Sequence, residues 1–89
     1  MSKDVSDKNR DRFIQLGIAI GTVRKIRKMS QEELAQKVGI SRSLISAIEA
    51  PGIAKGFSLE VFYNISDALD IDPSELIKAS LFSASVLNK

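Results

Sequence analysis

The feature that most constrains this chain is the punctuation between residues 30 and 41. Ser30-Gln31-Glu32-Glu33 is a capping box, in which the Ser30 hydroxyl can accept from the Glu33 amide while the Glu33 carboxylate reaches back to the Ser30 amide. A helix therefore starts at Gln31. Leu34, Ala35 and Val38 follow at helical spacing, and Gly39 supplies the positive φ that a helix C-terminus favours. Ile40 comes next, and Ser41 caps a further helix whose core face is Ile45 and Ile48. Two short helices joined through Gly39-Ile40-Ser41 make a helix-turn-helix arrangement. That joint needs a small residue where the helices cross (Ala35), a sharp turn (Gly39) and apolar anchors for the second helix (Ile45 and Ile48), so that its other face stays free.

The rest of the chain reads as helix around this joint. After a polar lead, Phe13, Leu16, Ile20 and Val23 recur at helical spacing and end in a basic cluster from Arg24 to Lys28, which suits a helix C-terminus. Pro51-Gly52 stops the third helix, and a loop runs through Ile53 to Gly56. Ser58 can cap a fourth helix with core candidates Leu59, Phe62, Ile65 and Leu69. Asp72-Pro73-Ser74-Glu75 reads as a second capping box with Pro at the first helical position, and Leu76 and Ile77 should face inward. No alternating strand pattern or internal repeat occurs, and 89 residues leave no room for a second core. The expectation is an all-α, five-helix domain over residues 11–80, after a polar lead at 1–10 and before an apolar tail at 81–89. Gly17 and Gly21 lie one turn apart in the first helix, where each costs about 0.5–1 kcal/mol against Ala. Close helix packing and relaxed selection account for them equally well.

Composition narrows the chemistry. The chain has no Cys and no His, so it offers no thiolate or imidazole nucleophile, no His general base and no Cys/His metal site. We therefore expect neither an enzyme nor a bound metal or other cofactor. The longest apolar-leaning stretch, Phe13 to Val23, is interrupted by Gln15 and Thr22 and is shorter than the roughly 20 residues a membrane helix needs. With a polar N-terminus, the expected location is the cytoplasm. Charge is uneven along the chain: residues 10–46 hold eight Lys and Arg against three acids, and residues 47–89 hold three Lys against six acids. A solvated face or a polyanion partner on the first half would each produce this asymmetry.

The run Ser30-Gln-Glu-Glu-Leu-Ala-Gln-Lys-Val-Gly-Ile-Ser-Arg-Ser-Leu-Ile-Ser-Ala-Ile-Glu49 resembles the Cro/CI-type (lambda-repressor-like, XRE) DNA-binding family. The likeness continues through Leu59, Ile65, Ala68-Leu69 and Asp72-Pro-Ser-Glu-Leu76, and spans Leu16 to Ile77. It implies a sequence-specific regulator of transcription bound to double-stranded DNA, most simply a homodimeric repressor on a near-palindromic operator, and leaves room for a regulatory protein partner. By position, Arg42, Ser43, Ser46 and Ala47 fall where the family reads bases, and Gln31 where it binds phosphate. For Arg42, bidentate bonding to guanine and a phosphate contact both remain open. Ser41, Arg27 and Lys28 are further phosphate candidates, with Lys55 the single cation of the loop from Pro51 to Phe57. The family often joins the positions of Arg24 and Glu49 by a partly buried ion pair, which implies a structural role for both. The chain departs from the family in its cation-poor loop and in the two glycines of the first helix. The alternative is a protein-interaction module of the same fold, such as a toxin-binding antitoxin or an adaptor, with weak or no DNA binding. Leu81, Phe82, Val86 and Leu87 in the apolar tail are the candidate dimer contact.

Overall fold

The computed structural model describes the backbone of residues 5–87 and the side chains of residues 5–81. A short 3-10 turn, Asp7–Asn9, leads into helices α1 (Arg10–Ile26), α2 (Gln31–Val38), α3 (Arg42–Glu49), α4 (Leu59–Ala68) and α5 (Pro73–Leu87). The described residues contain no strand. No helix among them is long and apolar enough to cross a membrane.

Local hydrogen bonds place the helix ends. The Glu33 amide donates to Ser30 Oγ at 3.0 Å, and the Ser30 amide donates to Glu33 Oε1 at 2.7 Å, closing the capping box. Ser41 Oγ accepts from the Leu44 amide and Ser58 Oγ from the Val61 amide, so α3 and α4 begin by the same device. Gly39 has φ 84°, and its amide and that of Ile40 both donate to the Ala35 carbonyl. The start of α5 differs from the expected reciprocal box. Asp72 Oδ1 accepts from the backbone and the hydroxyl of Ser74, at 2.9 and 2.7 Å, while Glu75 lies 3.4 Å from Lys78 Nζ. A Pro at the first helical position still leaves the second amide as an orphan donor, and the short Asp side chain satisfies that one.

α1 is the centre of the packing: α5 lies along one side and α3 against another, while α2 bridges α3 and α4. Ile20, Leu34, Ile45, Ile65, Leu69 and Leu76 are fully buried where these helices meet. Because α1 touches neighbours on two sides, its buried set is broader than one stripe. Ile14 and Ala19 are buried with Ile20 and Val23, whereas Phe13 and Leu16 are half-buried. Phe13 meets Phe57 edge to face, at a centroid separation of 5.5 Å.

Two expectations about the core are corrected. Leu59, expected in the core, is 64% exposed, because it is the first residue of α4 and projects beyond the neighbouring helices; Phe62, Ile65 and Leu69 carry the core face. Ile77, expected to face inward, is 39% exposed, since α5 turns Leu76 alone of this pair to the core. α5 also runs on to Leu87, so the backbone of the expected tail continues the helix. The side chains of Phe82, Val86 and Leu87, three of the four candidate dimer contacts, lie outside the described residues; Leu81 is exposed.

α1 and α4 end alike, each with a left-handed residue that is not glycine: Lys28 at φ 59° and Asp70 at φ 54°. After each, an amide reaches back over the final turn, from Met29 to the Arg24 carbonyl and from Ile71 to the Ser66 carbonyl, the Schellman pattern.

Candidate nucleic-acid interface

Residues 42, 43, 46 and 47 share one face of α3, because steps of one and four residues stay within about half a helical turn. Arg42, Ser43 and Ser46 are exposed and Ala47 is half-buried, while Ile45 and Ile48 on the opposite face are 0% and 1% exposed. The core side of the helix is thus closed and its polar side is free. Arg42 is the first residue of α3, next to Ser41, whose oxygen is taken by the Leu44 amide but whose hydroxyl hydrogen remains available to donate.

Behind this face a polar cluster ties three helices together. Arg24 of α1 donates to Glu49 of α3 through both Nε (2.7 Å to Oε2) and Nη2 (2.9 Å to Oε1). Its remaining Nη1 donates to the Met29 carbonyl at 2.7 Å. Gln31 of α2 donates from Nε2 to Glu49 Oε1 at 3.0 Å. The Arg24 and Glu49 side chains are only 10% and 8% exposed. The hydrogen bonds to Glu49 raise the Arg24 pKa above its ordinary value, against the opposing effect of burial. The ion pair implied by the family resemblance is present, with a third member that sequence alone did not place there. Gln31 is held by its side chain at the start of α2, where the first backbone amides have no intrahelical acceptor and the helix dipole favours an anion.

The two glycines of α1 explain how α3 comes close enough for this cluster. A Cβ on Gly17 would collide with the Ile48 carbonyl oxygen and lie 2.9 Å from its carbonyl carbon. At Gly21 it would lie 3.1 Å from Glu49 Oε1. Of the two readings of these glycines, the structure supports close packing. The four-residue spacing was the available signal, but only the packed helix could supply what lies opposite.

Arg27, a phosphate candidate by sequence, makes two hydrogen bonds within the fold. Its Nε donates to the Leu69 carbonyl at 2.8 Å and its Nη2 to the Asp70 carbonyl at 3.0 Å, so its guanidinium satisfies the end of α4. The basic cluster at the end of α1 therefore divides: Arg24 is buried, Arg27 is engaged within the fold, and Lys25 and Lys28 are exposed. Lys55, in the loop between α3 and α4, is half-buried.

A closed-backed, exposed α3, set after α2 across a tight turn, defines a helix-turn-helix DNA-binding protein. The family model described as "Helix-turn-helix domain" matches residues 17–80, and the chain belongs to that family, in its XRE-type branch of DNA-binding transcription regulators. Among solved structures, the chain is similar to the restriction-modification controller protein C.AhdI from Aeromonas hydrophila. The identity is 31% and the TM-score 0.67, over 73% of this chain and 96% of that one. No curated protein sequence matches the chain.

Proposed function

We propose that this protein binds double-stranded DNA sequence-specifically as a homodimer and represses transcription by covering a promoter at a near-palindromic operator. The observation that carries this reading is the polarity of α3, sealed by Ile45 and Ile48 on one side and presenting Arg42, Ser43 and Ser46 on the other. A helix of that kind fits a major groove. Arg42 offers the two parallel N–H donors that guanine O6 and N7 accept, Ser43 and Ser46 bond to either kind of base edge, and Ala47 admits the thymine methyl group. Gln31, Ser41, Lys28 and Lys55 serve the phosphates that set the register. The likeness to a restriction-modification controller protein supports a compact regulator. In the dimer, two copies of α3 reach successive major grooves about 34 Å apart.

Genome-wide footprinting of the native protein tests the reading. The expected result is a small set of promoter-overlapping sites, each with two related half-sites about one helical turn apart. Uniform coverage at every site, or no coverage at moderate salt, would instead favour a protein-interaction module.

A further inference from the structure

The polar cluster behind α3 has more members than the ion pair requires. Arg24 Nε and Nη2 already occupy the two Glu49 oxygens, one each. Gln31 nevertheless gives Nε2 to Glu49 Oε1 at 3.0 Å, so this oxygen accepts twice. Gly21 leaves the same oxygen its room, since a Cβ there would lie 3.1 Å from it. Gln31 is half-buried and is the first residue of α2, so its side chain links the closed cluster to the surface.

We propose that Glu49 is a positioning residue for DNA binding: it holds the Gln31 amide by its nitrogen, so that the second Nε2 hydrogen, and not the amide oxygen, is presented to a DNA phosphate. The inference rests on the reading above in which Gln31 serves a phosphate, and it adds a residue that itself touches no DNA. A primary amide has a donor end and an acceptor end of nearly the same shape. Turned the wrong way, Gln31 would set its oxygen against a phosphate oxygen, two acceptors with no proton between them. A carboxylate only accepts, so Glu49 selects the donor end; one Nε2 hydrogen goes to Glu49 and the other is left to donate. Arg24 makes a carboxylate tolerable so near a polyanion, because its guanidinium at 2.7 Å balances the charge that would repel the phosphate. Fixing the side chain before DNA arrives also spares the rotamer freedom that a loose Gln loses on binding. The ion pair that joins α1 to α3 thus also sets the first side chain of α2.

Duplex affinity of the full chain, measured well below its melting temperature, tests the proposal. The probes are the footprinted operator and a random-sequence duplex. Gln31→Met should weaken binding to both about tenfold, the worth of one hydrogen bond to a charged group. The salt slope should not change, because an amide neutralises no phosphate charge. Glu49→Met should weaken binding by a similar factor, although removing a negative charge would on electrostatic grounds alone strengthen it. Adding Gln31→Met to that variant should bring no further loss. Arg24→Met with Glu49→Met strands neither charge and should show the same loss, which keeps the test open if Glu49→Met alone does not fold. In the wild-type chain, nuclear magnetic resonance should find one Gln31 side-chain amide proton slow to exchange, with and without duplex. Folded Glu49 variants that bind like the wild type, losses that multiply when the Gln31 and Glu49 changes are combined, or two equally fast amide protons would each overturn the positioning role. So would wild-type affinity in Gln31→Met, and all four outcomes leave the DNA-binding reading standing. A folded wild-type chain that binds neither duplex at low salt would overturn both.

Discussion

Glu49 accepts three hydrogen bonds from two other helices, and its removal would strand Arg24 in a nearly closed environment. Breaking a buried pair by deleting one partner typically costs about 3–5 kcal/mol, and the lower end applies here because Arg24 keeps the Met29 carbonyl. Arg24→Ala and Glu49→Ala should each lower stability by about 3 kcal/mol. The double variant should be less destabilised than the sum; additive losses in a urea double-mutant cycle would show that the two act independently. Arg42 belongs to the other side of the same scale, being exposed and, among the described residues, without a side-chain hydrogen bond. Arg42→Ala should leave stability within about 0.5 kcal/mol, as for ordinary surface changes. It should relax base preference at one position per half-site by about 1–3 kcal/mol, read by selection from a randomised operator. A uniform loss over all sequences would make Arg42 a phosphate contact.

At the scale of the helix, α1 and α3 meet backbone to backbone. Gly17→Ala sets a methyl group against the Ile48 carbonyl, which cannot withdraw without moving α3. Overpacking of this kind costs about 1–3 kcal/mol, more than the roughly 0.5–1 kcal/mol that Ala gains in helix propensity. Gly17→Ala should lower the melting temperature. Gly21→Ala should cost less than Gly17→Ala, since a 3.1 Å approach to the Glu49 carboxylate asks for a shift of only a few tenths of an ångström, resisted by the three hydrogen bonds that hold Glu49. Equal losses for both would refute a specific contact at Gly17. The start of α2 adds a pH dependence. The Ser30 backbone amide, and secondarily its hydroxyl, hold the Glu33 pKa below its ordinary value, and the Ser74 hydroxyl and amide do the same for Asp72. A carboxylate with a lowered folded pKa contributes stability that is complete above its unfolded value and lost as pH falls through the folded one. Urea stability should therefore be level near neutrality and decline below about pH 4, in the carboxylate range. Glu33→Gln should flatten part of that decline, and an acid limb unaltered by the substitution would show that the cap contributes nothing.

For the molecule as a whole, the basic cluster divides between side chains used in the fold and side chains left exposed. Arg27 joins the end of α1 to the end of α4, whereas Lys28 is exposed beside the start of α2. Lys28→Ala should reduce the slope of log affinity against log salt by about 0.9, the contribution of one neutralised phosphate. Arg27→Ala should leave that slope unchanged and destabilise the fold by about 1 kcal/mol, the net worth of a partly solvated hydrogen bond. A reduced slope for Arg27→Ala would show that Arg27 contacts phosphate as well as the two carbonyls.

The sequence by itself determined what depends on residues a few positions apart. The Ser30, Ser41 and Ser58 caps, the left-handed Gly39, and the apolar faces of α2 and α3 were all legible because each rests on a hydrogen bond or a periodicity contained within about one turn of chain. The family motif carried the Arg24–Glu49 pair in the same way, as a pattern read in register. Only the tertiary structure decided which surfaces meet. Gly17 is required by a carbonyl 31 positions away in the sequence, Arg27 is taken up by carbonyls 42 and 43 positions away, and Gln31 is fixed by a carboxylate 18 positions away. Leu59 and Ile77 follow the helical period yet remain exposed, because a period says which residues share a face and the neighbouring helix says how far along that face contact extends.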